Sequence, residues 1–215
     1  MTGFYLPLSR VQQRMQWHLS IADAGLRAPV ISLFTKLNPL DKNASISLSG
    51  ADLVATSGAN GDGIVRSIQA ITGKRYFEAA FTDVTNGTAT IAAGIATSAH
   101  ALTASLGYSN AFGWAFWGTN TGARHNGVTA VALVGGNGAV LGFAVDQPAG
   151  KMWIRGSDGW IQGDPVTGAS PIWSNLSGTL HAAACPWVSG SVVTMRFDPA
   201  SFRDAAPSGF SPITA

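Results

Sequence analysis

Residues 140–154 have the sequence VLGFAVDQPAGKMWI, and their pattern is the main indication of the fold class. A short, almost continuous apolar run ends at Asp146, and a second one begins after the Pro- and Gly-containing residues 147–150. Short apolar runs bounded by Gly and Pro are typical of strands. The pattern predicts strands at 139–146 and 152–155, with the Asp146 side chain ordering the turn between them.

The same alternation of short apolar runs and turn signals extends in both directions along the chain. Strands spaced about 8–12 residues apart, with Gly and Asn between them, are typical of an all-β sandwich or barrel. Further strands are predicted at 46–48, 53–55, 64–68, 75–83, 88–96, 113–118, 128–134, 180–184 and 191–197.

The composition agrees with a β protein. Only 24 of 215 residues are charged, Glu78 is the sole glutamate, and 26 residues are glycine. Few strong helix formers remain, which argues against a helical protein. The hydrophobic fraction of 46% is large enough for a buried core, which argues against disorder. Cys185 is the only cysteine, so neither an internal disulfide nor a cysteine zinc site is expected. The four histidines lack metal-ligand spacing, and no metal or cofactor is expected.

One amphipathic helix is predicted before the strands, at 9–24. Ser9 is a suitable N-cap with Gln12 three residues later, and Gly25 followed by Pro29 is a typical helix end. Its wide apolar face either caps the domain's own core or docks into another subunit. We therefore expect an arm at 1–33 for anchoring or oligomerisation and a β-sandwich at 34–215. The expected anchoring residues are Arg10, Val11, Arg14, Met15, Trp17 and Leu19.

The charge is distributed unevenly. The formal net charge is +2, and residues 1–36 hold four basic residues against one acidic residue, Asp23. This is too small a basic stripe to predict nucleic-acid binding. The sequence lacks a secretory-type leader and an apolar run of membrane-spanning length, so we expect synthesis in a cytosol and no membrane span.

Several motifs resemble those of SPRY domains, and they occur in the same order. The closest are GKRYFE at 73–78, AGIA at 93–96, LG at 106–107 before GW at 113–114, VLGFAVD…GKMWI at 140–154, and MRFD…F…PSGF at 195–210. The resemblance covers about residues 34–212. It implies a concanavalin-like sandwich of two antiparallel sheets, without catalytic activity, that binds partners through loops at one end.

Two further motifs resemble SPRY domains of bacteriophage and prophage proteins. They are NPLDK at 38–42 and the insertion GDP…GASPI at 163–172. This resemblance implies a structural protein of the virion, in the tail, baseplate or a fibre, made in the cytoplasm of a bacterial host. The implied partners are other virion proteins and a host-surface protein or glycan, and the implied assembly is a homo-oligomer, with a trimer as the working guess.

The expected contact residues are polar or ring-bearing residues of the predicted loops: Trp117, Asn120, Arg124, His125 and Trp160. The stretch 121–127 contains Arg124 and His125 before Asn126-Gly127, a pair that is typical of a hairpin turn. The sequence supports no Ser-His-Asp arrangement and contains no nucleophile elbow. No second carboxylate in register with Glu78 can be argued from the sequence, so no enzyme is predicted. A capsid decoration protein and a lectin-like or glycan-hydrolysing module are the alternatives.

Some residues are expected to be architectural. Glu78 lies in the middle of a predicted strand and should be paired with an arginine or held by backbone N–H groups. Gly94 and Gly142 should permit close approach of neighbouring strands or a β-bulge. Core positions are predicted for four large rings: Phe77, Phe143, Trp153 and Phe197.

Overall fold

The computed structural model describes residues 33–82, 91–108, 110–118, 122–131 and 138–215. Its strands, in chain order, are β1 Leu37–Lys42, β2 Ile46–Ser49, β3 Val54–Ser57, β4 Val65–Ser67, β5 Lys74–Thr82, β6 Ile91–Thr97, β7 Gly113–Trp117, β8 Gly122–His125, β9 Val128–Val131, β10 Val140–Asp146, β11 Lys151–Gly156, β12 Gly159–Trp160, β13 Leu180–Pro186, β14 Val192–Arg196 and β15 Ser211–Pro212. The turn Pro199–Ser201 is a 3-10 helix.

The strands form two sheets. One has the order β1-β4-β13-β6-β7-β8-β9, and the other has the order β12-β11-β10-β5-β14-β3-β2. The pairs within both rows are antiparallel, and β15 joins β5 in parallel. The all-β sandwich predicted from the sequence is confirmed.

The stretch at 140–154 forms a hairpin in the second sheet. Strand β10 pairs with β11 on one side and with β5 on the other, where Phe143 lies opposite Phe77. Their rings stack with centroids 5.0 Å apart. Asp146 Oδ1 accepts a hydrogen bond from the Ala149 amide at 3.1 Å, which confirms its predicted role in the turn.

The main core lies between the two sheets. Phe77, Phe143 and Phe197 are buried there, as predicted. Each fully buried side chain of this size stabilises the fold by roughly 1.5–3 kcal/mol. Trp153 is also fully buried, but it lies in a separate cluster with Tyr76 and Phe210, on the other face of its sheet.

A second apolar layer covers the outer face of the first sheet. The strands contribute mainly small side chains, and the connection between β6 and β7 lays Leu102 and Leu106 over them. Gly94 belongs to this sheet, and a Cβ at residue 94 would lie only 2.7 Å from Ala115 Cα. The predicted close approach of the neighbouring strands β6 and β7 is therefore confirmed.

Some sequence predictions concern residues outside the described ranges. The helix at 9–24, the six anchoring residues and the start of the strand at 88–96 are among them. Leu33–Ala215 forms one compact unit. Within the described ranges there is no helix with the length and hydrophobicity needed to cross a membrane.

Candidate functional site

A tight hairpin positions Arg124 and His125. Strands β8 and β9 are joined by Asn126 and Gly127, whose φ angles are +49° and +74°. Positive φ at both central residues is the requirement of a type I′ turn, which Asn-Gly satisfies. The predicted turn is therefore confirmed, and it places Val128 opposite His125.

Arg124 lies on the outer face of this hairpin. It pairs with Ala115, whose side chain belongs to the outer apolar layer. The guanidinium carbon lies 4.5 Å from the centroid of the Tyr108 ring, within cation–π range. Arg124 Nη1 donates a long hydrogen bond of 3.4 Å to the Gly127 carbonyl, and its buried Nε has no hydrogen-bond partner.

Trp117 lies beneath the same surface. The sequence analysis placed it among loop contact residues, but it lies in β7 and is only 4% exposed. Its indole N–H donates to the Leu106 carbonyl at 2.8 Å, and its ring meets Tyr108 edge-on at 6.1 Å. Trp117 therefore supports Tyr108 and offers almost no surface of its own.

His125 lies on the opposite face from Arg124, because successive side chains of a strand alternate. Its ring stacks on Trp114 with centroids 4.6 Å apart. Nδ1 donates to the Gly113 carbonyl at 2.9 Å, and the Trp114 indole N–H donates to Asn175 at 3.2 Å. The half-exposed His125 ring is thus fixed at the end of the sheet.

Three exposed apolar side chains lie near the tip of the hairpin. Tyr108 contacts Arg124 on the outer face, Val128 lies opposite His125 on the other face, and Phe112 directly precedes β7. Tyr108 is 49% exposed, Phe112 is 46% exposed and Val128 is 68% exposed. With Arg124 and His125 they define what we call the hairpin-end surface. None of these three residues was predicted to be a contact residue, because apolar residues in strands and short loops give no local signal of exposure.

Trp160, another of the predicted contact residues, does not join the hairpin-end surface. Trp160 lies in β12, at the edge of the second sheet, and is half-buried beside Arg155 and Tyr76. Asn120 lies outside the described residues. The four predicted residues that the structure describes therefore do not form one site.

A second set of contacts joins the loops that follow β3 and β13. Asp62 accepts a hydrogen bond from the Trp187 indole N–H at 2.8 Å and another from the Ser105 hydroxyl. Asn60 accepts from the Ser189 amide at 3.0 Å. These hydrogen bonds hold the loops together, so the polar groups that form them have a structural role. Nothing in the sequence pattern singled them out.

The carboxylates are engaged in structural contacts. Glu78 is fully buried and accepts hydrogen bonds from the Arg203 amide at 2.7 Å and the Asp204 amide at 3.0 Å. Arg196 lies 3.5 Å away, so the predicted pairing is confirmed. Burial and the adjacent Glu78 carboxylate raise the pKa of the Tyr76 hydroxyl, which donates to Glu78 at 2.9 Å. Across the described ranges, no three His, Cys, Asp or Glu side chains meet as a metal-ligand set.

Comparison with solved structures shows a SPRY-like fold. The PSpry domain of TRIM65 matches with a TM-score of 0.58 and 17% identity, over 77% of this chain and 93% of that one. The SPRY domain of human HERC1 matches with a TM-score of 0.61 and 14% identity, over 74% and 96%. Stonustoxin matches with a TM-score of 0.53 and 16% identity, over 75% of this chain and 27% of that one. No protein-family model and no curated protein matches the chain.

Proposed function

We propose that this SPRY-like sandwich is a non-catalytic recognition module that binds another protein through the hairpin-end surface. The observation that carries the proposal is the exposure of Tyr108, Phe112 and Val128 near the tip of one hairpin, where Tyr108 contacts Arg124 and Val128 lies opposite His125. Exposed apolar groups that cluster on a folded surface mark protein contacts. Aromatic and arginine side chains are also the residue types favoured at binding hot spots.

The rigidity of this surface favours specific binding. Tyr108 is supported by Trp117, and His125 is stacked on Trp114 and bonded to Gly113. A surface whose side chains are already fixed loses less conformational entropy when a partner binds. The hairpin-end surface therefore suits recognition without rearrangement.

We further propose that the module belongs to a bacteriophage particle, in the tail, baseplate or a fibre, with residues 1–33 as its anchor. The support is the resemblance of 38–42 and 163–172 to phage SPRY domains. In this chain the two motifs have structural roles. Asp41 binds Arg66 with two hydrogen bonds of 2.7 Å, and Asp164 pairs with Ala169 across a short turn.

Mass spectrometry of purified particles from the source tests this placement. The chain should be present, and limited proteolysis of intact particles should cleave it before the internal proteins. Its absence from particles would overturn the virion proposal. A second arm compares the full chain with residues 34–215. If the shorter chain is folded and still joins the particle, the anchoring proposal is wrong.

Binding by the hairpin-end surface is tested with particles that contain Tyr108→Ala or Val128→Ser. Both side chains are substantially exposed, so the fold should be retained. Attachment to host cells, or to the neighbouring virion protein, should fall at least about tenfold for each. Exposed Val166 in the 163–172 insertion provides the matched control, Val166→Ser. Unchanged attachment by both surface variants would contradict the proposal.

A glycan is the second candidate ligand, because the exposed Tyr108 ring could stack on a sugar face. A glycan array probed with the full chain distinguishes the two. Saturable glycan binding that Tyr108→Ala abolishes would favour a lectin-like module over a protein-binding one.

A further inference from the structure

We infer that Arg124 binds a carboxylate of the partner, and that the partner segment is an acidic stretch of protein with an apolar neighbour beside its Asp or Glu. This inference rests on the proposed function of the hairpin-end surface. It adds the chemical class of the segment that the surface recognises.

Arg124 has unused hydrogen-bond donors. A guanidinium carries five N–H groups. The polar contact of Arg124 is one hydrogen bond of 3.4 Å to the Gly127 carbonyl. Its Nε is shielded from solvent without a partner. Most of the donor capacity on the terminal nitrogens therefore remains available.

Other cations in the described part of the chain are better satisfied. Six acid–base contacts involve Lys36, Arg66, Lys74, Arg155, Arg196 and Arg203. Lys42, Arg75 and Lys151 lack such a contact, but each donates a hydrogen bond of 3.0 Å or less to a protein oxygen. Arg124 differs from the first six because it has no acidic partner within the described ranges, and from the other three because its hydrogen bond is longer.

The Tyr108 ring fixes the guanidinium in place. The guanidinium carbon lies over the ring at 4.5 Å from its centroid, and this cation–π contact consumes no N–H donor. A planar guanidinium with its donors free matches the two oxygens of a carboxylate. The contact with the ring also reduces the entropy lost when the pair forms.

The groups near Arg124 indicate whether its carboxylate ligand belongs to an acidic peptide or to an acidic sugar. Val128 follows the hairpin turn and Phe112 directly precedes β7, so both are exposed near the tip; Val128 pairs with His125, whereas Arg124 pairs with Thr129. An aliphatic side chain next to a partner's Asp or Glu can cover these groups, whereas a uronic acid presents hydroxyls to them. Burial of exposed apolar surface favours the peptide complex. The apolar surroundings therefore favour a protein segment.

The experiment uses the 15N-labelled full chain and two acetylated, amidated tripeptides, Leu-Asp-Leu and Leu-Asn-Leu. They differ in the carboxylate alone. The Nε–H signal of Arg124 reports on the guanidinium, and its shielding from solvent should slow exchange and keep it visible. The Asp peptide should shift this signal and the Tyr108 and Val128 amides saturably, with at least about fivefold tighter binding than the Asn peptide.

Two variants make the test specific. Arg124→Gln should abolish the preference for the Asp peptide. Arg155→Gln should retain it, because Arg155 also lies over an aromatic ring, that of Trp160, but already has Asp204 as a partner. Retention of the preference by Arg124→Gln would overturn the inference.

The remaining outcomes are also decisive. Equal binding of both peptides, weakened by Val128→Ser, would overturn the carboxylate inference and leave the protein-binding proposal intact. Tighter binding of glucuronic acid than of the Asp peptide, with the same shifted signals, would overturn the choice of a protein segment. If neither peptide produces saturable shifts, the inference fails, while the particle experiments remain the test of the proposed function.

Discussion

Gly142 leaves the space that the Tyr76 ring occupies. A Cβ on residue 142 would lie 2.8 Å from Tyr76 Cζ and would overlap the phenol oxygen. The two residues lie on the neighbouring strands β10 and β5, where Gly142 is opposite Glu78. The glycine therefore permits the hydrogen bond from Tyr76 to the buried Glu78 carboxylate.

We expect Gly142→Ala to lower the free energy of unfolding by about 2–4 kcal/mol, because it displaces Tyr76 and weakens its bond to Glu78. Denaturant titration measures the change. Gly156→Ala is the matched control, since a Cβ there would meet no atom within 4 Å. Equal stability of the two variants would show that the Tyr76 ring can move without cost.

Glu78→Gln tests the buried carboxylate itself. Glu78 accepts hydrogen bonds from the Tyr76 hydroxyl and from the amides of Arg203 and Asp204. A glutamine amide would place N–H donors against these donors, so we expect a loss of about 2–4 kcal/mol in the free energy of unfolding. Exposed Asp158→Asn is the control and should change it little. A loss below that of the control would contradict this role for Glu78.

The two aspartates that pair with basic side chains near β1 should differ in their contribution. Asp41 binds Arg66, whose side chain is only 6% exposed, whereas Asp52 binds the more exposed Lys36. Asp41→Asn should cost about 2–3 kcal/mol, because it leaves a buried guanidinium without a carboxylate. Asp52→Asn should cost less than about 1 kcal/mol. Thermal unfolding of the two variants provides the comparison, and a reversed order would refute the assignment.

Stability should fall in mildly acidic solution because of His100. Burial lowers the pKa of this imidazole, against the effect of its hydrogen bond to the Ala101 backbone, and the Arg66 charge lowers it further. Nδ1 donates to the Ala101 carbonyl at 2.9 Å, which leaves the buried Nε2 without a partner. Protonation of Nε2 would place a charge beside Arg66 and an N–H group without an acceptor.

The direction of the pH effect follows from this shift. The unfolded chain takes up the proton near pH 6.5, before the folded chain does, so the free energy of unfolding decreases as the pH falls below about 6.5. The slope for this one group reaches at most about 1.4 kcal/mol per pH unit. Denaturant titrations between pH 5 and pH 8 should show a weaker slope for His100→Gln than for the original chain. An identical slope would exclude His100 as the cause.

The local features were the ones that the sequence could predict. Asp146 orders its turn, Asn126-Gly127 forms the tip of a hairpin, and Glu78 is paired. Each depends on groups within a few residues, or on the rule that a buried polar group needs partners. Such requirements hold in any fold that contains the segment, so a single sequence reveals them.

The candidate site could be predicted only in part. Arg124 and His125 were identified from the sequence, but alternation along β8 places them on opposite faces. Trp117 was expected to make contacts and is buried beneath Tyr108. The exposure of a side chain depends on which loop covers its sheet, and that loop can come from anywhere in the chain.

Apolar alternation and turn residues act over short distances, so the sequence alone indicated an all-β sandwich or barrel, and the resemblance of its motifs to SPRY domains implied the two antiparallel sheets. The tertiary structure decided which side chains form a surface. The connection that contains Leu102 and Leu106 buries Trp117, while Tyr108 and Val128 stay exposed at the end of the hairpin. Whether a side chain is exposed depends on how distant segments of the chain pack over it, and no local sequence pattern encodes that packing.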